Sequence, residues 1–488
     1  MELTQLLSSI KAIQVIGEVQ RKDVSGLFYD SRRIIKNSVF IAIKGYKTDG
    51  HKFILDALNK GAIAVILEEN NSVPDEIFTH NNAAKILVKD SRVAMAEISD
   101  SFFKHPSSKL KLIGITGTNG KTTTSYFIKS ILETSGEKVG LLGTIANYIG
   151  DREFKASLTT PESSDLNELL LGMVNEGCSY AVMEVSSHSL VLNRVYGLNF
   201  SGGVFTNITS DHLDFHQNFE NYFKAKKILF DSLTPSTFAV FNADDTSSLR
   251  LMKDSPAKLF SYGTLTNSDF VIKNITFDLH GTSFNLVYNG DEYNLFAKLV
   301  GEFNAYNAAA AFAVSVLQGV SEEKAIEGIK TCKQVPGRME VVGCGHKKAI
   351  VDYSHTADSL EKALLSIKKL TKKNQPIYTV FGCGGNRDKT KRPLMGKIAS
   401  ELSNRVIVTS DNPRFETPSQ IISEIKDGIQ KNNYNVIENR EEAIRFAIGN
   451  SEDDAVILIA GKGHENYQEI NGKRNHFSDK EIAEKYLL

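Results

Sequence analysis

"KLIGITGTNGKTTTSYFIKS", residues 111–130, decides the fold: a short apolar run, a glycine-bearing turn, then Lys121, Thr122 and Thr123 opening a helical pattern. A turn of this kind between a strand and a helix offers backbone N–H groups and the positive end of a helix dipole to phosphates. Lys121 can reach the outer phosphates and the Thr122 hydroxyl suits Mg²⁺. The usual phosphate-loop spacing asks for glycine at position 115, where Ile115 stands, and the glycines fall instead at Gly114, Gly117 and Gly120. An ordinary tight turn needs neither the lysine nor the hydroxyls, so a nucleoside triphosphate site is expected over Gly117, Thr118, Asn119, Gly120, Lys121, Thr122 and Thr123.

Around this loop, buried-strand patterns alternate with helical ones: "KVGLLGT" (138–144), "SYAVMEV" (179–185), "FSGGVFTNI" (200–208) and "FAVFNA" (238–243). That alternation predicts a parallel sheet with crossover helices. Ahead of it, "SVFIAIKG" (38–45), "ILDALNKG" (54–61) and "AIAVILEE" (62–69) read as a small α/β unit, closed by the polar linker "KHPSSK" (104–109). Behind it, "KQVPGRMEVV" (333–342) marks a second junction, followed by the strand patterns "KAIVDYS", "IYTVFGC", "RVIVTSD" and "AVILIAG". The expected fold class is therefore α/β in three domains. Residues 1–107 form a smaller α/β N-terminal domain, 108–336 a central P-loop, parallel-sheet domain of ATPase type, and 337–488 a Rossmann-like C-terminal α/β domain. A length of 488 residues agrees with about 150 residues per domain.

Lys+Arg 57 against Asp+Glu 58 leaves a net charge of −1, so no global field favours nucleic acid or an anionic membrane. Neither a nucleic-acid partner nor membrane insertion is expected, because no run of 18 apolar residues occurs and the N-terminus lacks a basic segment followed by an apolar one. A cytoplasmic chain follows. The four cysteines, Cys178, Cys332, Cys344 and Cys383, show no metal spacing and read as buried or incidental thiols of a reduced compartment.

A second constellation begins with Glu184 at the end of a buried strand in "VMEVSSHS" and continues in "TNITSDHLDFHQNFENYFKAKKILF" (206–230). Ligands of open α/β sheets sit beyond the carboxyl ends of strands. There, Glu184, Thr122 and phosphate oxygens would make a Mg²⁺ shell. Taken singly, His188, His212 and His216 read as packed or surface histidines, and Lys226 in "KAKK" as part of a solvated helix face.

Together "GTNGKTT", "EVSSHSL", "TNITSDHLDFH" and "YFKAKKILF" resemble the Mur ligase family, ATP-dependent amide-forming enzymes of peptidoglycan precursor synthesis. The resemblance spans nearly the whole chain, from "DSRRIIKNSVFIAIKGYKTDGHKF" through "GEFNAYNAAAA", "VPGRMEVV", "VDYSHTADSL" and "VFGCGGNRDKTKRPLMG" to "SDNPRFETP" and "GKGHENYQ". It implies that a substrate carboxylate attacks ATP to give an acyl phosphate, which an amine then converts to an amide. Thr122 and Glu184 would hold one Mg²⁺. His212 and Lys226, the latter carbamylated by CO₂ to an N6-carboxylysine, would hold a second. Lys121 and Arg338 would meet phosphate, Asp352 the ribose, Asn304 the adenine side, and His355 would join them in the nucleotide site. The acceptor implied is UDP-N-acetylmuramoyl-L-alanyl-D-glutamate, with Ser31 and Arg32 near the uridine, Thr159, Thr160 and Ser186 on the muramoyl peptide, and Arg194 on an anion.

"DNPR" resembles the signature of family members that add meso-diaminopimelate. That amine differs from lysine by a distal carboxylate, which a bidentate cation recognises. Arg387, Asp411, Asn412, Pro413, Arg414, Gly463 and Glu465 would form its pocket, Arg414 on the distal carboxylate and Glu465 on the ammonium. "DNPR" is also ordinary turn chemistry. One departure is Asn386, where the family often has aspartate, which removes a charge beside Arg387. A monomer is expected. Lysine as the amine, a folate-modifying sister branch, a P-loop ATPase without ligase activity and an inactive binding homologue remain as alternatives.

Overall fold

The computed structural model describes residues 1–45, 48–343, 347–371 and 375–487. Three main sheets follow one another along the chain. The first has five strands in the spatial order Ala12–Ile16, Ala84–Val88, Ala62–Leu67, Ser38–Ile41, Gly26–Phe28, parallel except for the first pair. Both expected strands of this region are present, with helix Ile54–Asn59 between them. "KHPSSK" differs from a loose linker. Pro106–Lys109 is a 3-10 turn, and buried Ser107 accepts the Asn199 N–H at 3.2 Å, which fastens the junction to the central domain.

The central sheet has eleven strands. Its interior is parallel: Val139–Leu142, Tyr180–Glu184, Lys111–Thr116, Phe200–Phe205, Phe238–Asn242, Lys258–Gly263 and Phe270–Asp278 lie side by side in that order. Antiparallel hairpins extend both flanks, Ala146–Ile149 with Arg152–Lys155 on one side and Gly281–Tyr288 with Asp291–Ala297 on the other. The buried runs predict the parallel interior and do not reveal these hairpins. Flank strands with one face toward solvent alternate or are polar, as in exposed Arg152–Lys155, and escape that signal. Helix Lys121–Thr134 leaves the phosphate loop and packs on Phe303–Leu317, whose buried alanines allow close approach, and on Glu322–Thr331.

The third sheet runs Glu340–Val342, Lys348–Asp352, Val456–Ala460, Ile377–Phe381, Arg405–Val408, Tyr434–Val436, with only the first pair antiparallel. Its carboxyl ends face the central domain. Arg440 and Asp479, both fully buried, form a bidentate pair at 2.7 Å that ties the final helix to this sheet. Cys178, Cys332 and Cys383 are buried, and Cys344 lies outside the described residues. Among the described residues, no helix is long and apolar enough to cross a membrane.

Candidate active site

The phosphate loop leaves strand Lys111–Thr116 with Gly117 at φ +153° and Gly120 at φ +91°. A Cβ on Gly117 would stand 1.9 Å from Thr206 Oγ1, so only glycine fits where the loop crosses the neighbouring strand end. Lys121 folds back, Nζ donating to the carbonyls of Gly117 (2.9 Å) and Thr118 (3.0 Å). Thr122 Oγ1 donates to Glu184 Oε2 at 3.0 Å and accepts from Arg338 Nη2 at 3.2 Å. Glu184 also receives the Thr144 N–H (2.9 Å) and hydroxyl (3.0 Å), and the Thr144 hydroxyl meets that of Thr159 at 3.1 Å. A continuous hydrogen-bonded row therefore joins Thr159, Thr144, Glu184, Thr122 and Arg338. The buried Nε of Arg338 has no partner among the described residues, which suits an anion arriving beside it.

Lys226 lies beneath the loop. It belongs to helix Phe219–Asp231, whose buried stripe is Tyr222, Phe223, Ala225, Lys226, Leu229 and Phe230, so the reading of this lysine as solvated is overturned. The neighbouring Lys227 does face outward and pairs with Asp231 and Asp254. Lys226 Nζ donates to Gly117 O at 2.8 Å and sits 4.4 Å from the Tyr222 ring centroid, with no carboxylate paired to it among the described residues. Burial first, and then the charge of Lys121, push its ammonium well below the ordinary lysine range. His212, at left-handed φ +53°, is exposed toward the cleft, and the partial desolvation it meets there pushes its imidazole down against the pull of Asp211. His216 is buried against Ser187 Oγ at 2.9 Å, and His188 stacks on Phe215; both read as packing residues.

A cleft of about 880 Å³ separates the central and third sheets, lined by Thr118, Asn119, Gly120, Lys121, Thr122, Thr123, Glu184 and His212 on one wall and by Arg338, Asp352 and His355 on the other. Asp352 Oδ2 accepts the Met339 N–H at 2.8 Å and its other oxygen takes the Ser354 hydroxyl; burial raises its carboxyl. His355, lowered by burial, bonds the Tyr353 carbonyl at 2.9 Å. Asn304 stands behind the wall, its amide shared between Val300 O (3.0 Å) and Asn307 Nδ2 (3.1 Å), while Asn307 lines the cleft. Across the cleft, Asp358 accepts from Asn119 Nδ2 (3.1 Å) and Thr209 Oγ1 (3.3 Å).

On the acceptor side Thr159 and Ser186 line the same cleft. Thr160 Oγ1 donates to Glu184 O (2.9 Å) and accepts the Ser186 N–H (3.1 Å), while Arg194 donates to Thr160 O (3.1 Å) and pairs with Glu162 (2.9 Å). Ser31 and Arg32 are not brought to this group: Ser31 is buried, and exposed Arg32 pairs with Asp30 at 2.7 Å. The next residue, Arg33, pairs with Asp165 at 2.7 Å and lines a second cavity of about 460 Å³ between the first and central sheets.

At the carboxyl ends of the third sheet, Asp411 and Asn412 are buried. Asn412 Nδ2 donates to Glu465 Oε2 at 2.7 Å, and its Oδ1 accepts the Glu469 N–H at 2.9 Å. Arg414, at φ +53°, donates from Nη1 to Gly385 O at 2.7 Å. Pro413 passes over Gly385, Gly463 packs on Tyr353, and Arg387 is exposed. Glu465 is raised by burial and opposed by Lys462, a fully buried lysine 3.3 Å from both Glu465 Oε2 and Asn412 Oδ1. Thr144, Asn307, Asp358 and Lys462 were not anticipated. Thr144 and Lys462 had a signal, since each follows a predicted strand at its carboxyl end, in "LLGT" and "LIAGK".

Comparisons with known proteins agree with this geometry. Residues 23–103 match the Mur ligase family catalytic domain, 115–315 the Mur ligase middle domain and 337–463 the Mur ligase glutamate ligase domain. The chain is 45 % identical, over 100 % of its length and 99 % of the relative's, to UDP-N-acetylmuramoyl-L-alanyl-D-glutamate--2,6-diaminopimelate ligase 1 of Clostridium acetobutylicum. A solved structure of a UDP-N-acetylmuramoyl-L-alanyl-D-glutamate--2,6-diaminopimelate ligase superposes with TM-score 0.70 at 32 % identity, covering 100 % of this chain and 98 % of that one. Folylpolyglutamate synthase of Mycobacterium tuberculosis shares the fold, with TM-score 0.62 at 16 % identity over 76 % of this chain and 92 % of its own.

Proposed function

The chain belongs to the Mur ligase family, and from that premise we propose that it joins meso-diaminopimelate to the D-glutamate carboxylate of UDP-N-acetylmuramoyl-L-alanyl-D-glutamate, with ATP as co-substrate. The observation that carries the proposal is the cleft of about 880 Å³ lined at once by the phosphate loop, Glu184, Thr159 and Arg338. Residues proposed for the donor and for the acceptor line that one cleft. The division of labour proposed is acceptor binding by residues 1–107, phosphoryl transfer by 108–336 and amine binding by 337–488. Subsites proposed on a single chain suit a monomer, and the proposed substrates suit the cytoplasm.

A carboxylate oxygen of the acceptor attacks the γ-phosphorus of ATP, the bond to the β-phosphate oxygen breaks, and ADP leaves. Two anions must approach, so cationic groups have to neutralise the transferring phosphoryl. Lys121 would turn from the Gly117 and Thr118 carbonyls to the phosphates, and Arg338 carries an unpartnered Nε to the same place. The amine nitrogen then attacks the acyl carbon, the C–O bond to phosphate breaks, and the amine sheds a proton. Walls from two domains keep water from the acyl phosphate.

Thr122 and Glu184 present hard oxygen donors 3.0 Å apart, which fits Mg²⁺. His212 and a carbamate on Lys226 would complete a second site. Bound there, Mg²⁺ supplies charge neutralisation of phosphate oxygens. Burial favours the neutral amine of Lys226, whose lone pair carbamylation needs: Nζ bonds the carbon of CO₂, one C=O bond opens onto oxygen, and the Nζ proton leaves to solvent. On the amine side, Arg414 would receive the distal carboxylate and Glu465 the ammonium, with Arg387 completing the pocket.

The test is phosphate release with Mg²⁺, ATP and the acceptor, run with meso-diaminopimelate, L-lysine or no amine. Release and a new tripeptide with diaminopimelate alone are expected. Equal release in every lane would make the protein a plain ATPase, and preference for lysine would overturn the role given to Arg414.

A further inference from the structure

The two loops that carry Arg387 and Arg414 touch along their backbones. A Cβ on Gly385 would stand 1.9 Å from Pro413 O. The Gly385 N–H donates to Asn412 O at 2.9 Å, and Arg414 Nη1 returns to Gly385 O at 2.7 Å. Asn386 crosses between the loops twice, its N–H donating to Glu416 Oε1 (2.5 Å) and its Oδ1 accepting the Phe415 N–H (3.1 Å). It does so at φ +52°, a left-handed conformation that asparagine and glycine adopt with the least strain.

Behind the crossing, Arg392 is 0 % exposed and holds Glu416 in a bidentate grip, Nη1 to Oε2 at 3.0 Å and Nη2 to Oε1 at 3.1 Å. It also donates to Glu424 Oε2 (2.5 Å) and Gly384 O (3.2 Å). Such a pair fixes orientation as well as distance. The Glu416 carboxyl is held down to about 2, chiefly by this arginine. Arg387, by contrast, is exposed and has no hydrogen bond or ion pair among the described residues, so the contacts between the loops hold Arg414 and leave the Arg387 guanidinium free.

We propose that the buried Arg392–Glu416 pair, acting through Asn386, is a clasp that fixes where Arg414 stands and so decides the preference for an amine bearing a second carboxylate. The proposal rests on the amine pocket described above and adds positioning residues that touch no substrate. A site that reads a carboxylate with a guanidinium keeps its selectivity only while that cation is held within a fraction of an ångström. An amine without the distal carboxylate has nothing to lose when that position slips.

The experiment is steady-state kinetics of the full chain and of its Asn386→Gly, Asn386→Asp and Glu416→Gln variants, with meso-diaminopimelate or L-lysine varied at saturating ATP and acceptor. Asn386 is at the surface, so Asn386→Gly keeps the left-handed backbone and the core and removes only the Oδ1 bond. The expected result is a KM for diaminopimelate raised about tenfold, with kcat, the KM for ATP and lysine use unmoved. Glu416→Gln should lose more, and Asn386→Asp, which retains an acceptor oxygen, should keep the wild-type ratio between the amines. An Asn386→Gly enzyme with the wild-type ratio, or one that loses both amines equally along with thermal stability, overturns the clasp. A wild-type enzyme indifferent to the two amines overturns the proposed function and the clasp with it, a pattern distinct from failure of the clasp alone.

Discussion

The proposed phosphoryl cleft and the proposed amine pocket are built in opposite ways. In the cleft, the side chains stand at the ends of strands and on a helix of the central sheet, and the lysine beneath it is sealed from solvent. In the amine pocket, three loops meet and a guanidinium, Arg387, stands free. Phosphoryl transfer depends on strong electrostatics, which burial amplifies and which rigid elements hold in place. Choosing among amines depends on a few ångströms of charge spacing, which loops can change while the sheet stays intact. The difference implies that substitutions in the cleft stop the reaction whatever the amine, whereas substitutions in the pocket change which amine is used.

The largest expected effect tests the cleft. Lys226→Ala should lower turnover about 10³-fold with ATP binding retained, and added formate should restore part of it as a stand-in for the carbamate. Full activity without rescue would make Lys226 a packing residue only. Next, Arg414→Ala should lower kcat/KM for meso-diaminopimelate roughly 10²-fold, since the distal carboxylate loses its partner in a polar pocket. The KM for ATP should not move, and if both fall together the two regions are not separable as described. A smaller effect is expected at Thr144, which orients Glu184 through its N–H and its hydroxyl. Thr144→Val removes only the hydroxyl, so turnover should fall about tenfold and more Mg²⁺ should be needed for half-maximal rate, with Thr144→Ser restoring both. An unchanged Mg²⁺ response would separate Thr144 from the metal site.

The same contrast governs what the sequence could disclose. The loop at Gly117 to Thr123 and the strand ending in Glu184 are local patterns, and the structure gathers them in one cleft. Lys226 was readable too, because it lies four residues after Tyr222 and three and four before Leu229 and Phe230, on the apolar stripe of its helix. Treating "KAKK" as a charge cluster hides that spacing. The pocket resists such reading. Whether Ser31, Arg32 or Arg33 faces a cavity depends on how the first domain docks, through Tyr29 and Arg33 on Asp165 and the Leu27 carbonyl on Ser164. Asn386, noted only as a lost charge, owes its part to a left-handed backbone and a neighbouring loop. Those are tertiary facts that no spacing encodes.

The smallest effect concerns stability and bears on why the cleft can carry a neutral amine at all. Burial holds the native-state pKa of Lys226 below its ordinary value, so between that lowered value and about 10.5 the unfolded chain binds a proton that the native chain does not. Stability then rises with pH through this window, and the cost of burying the amine is largest at its lower end. Lys226→Met keeps the apolar packing and removes that cost. In carbonate-free buffer its melting temperature should exceed that of the wild type most clearly near neutral pH, each kcal/mol being worth roughly 2–4 °C, and the gap should narrow toward pH 10. The lost bond to Gly117 O subtracts a pH-independent amount, on the order of 1 kcal/mol, so the slope carries the information and the absolute gap does not. A gap that stays constant with pH would mean that Lys226 remains an ammonium in the folded protein. In that case the lone pair proposed to capture CO₂ is absent, and the contrast between the sealed lysine of the phosphoryl cleft and the exposed Arg387 of the amine pocket loses its chemical basis.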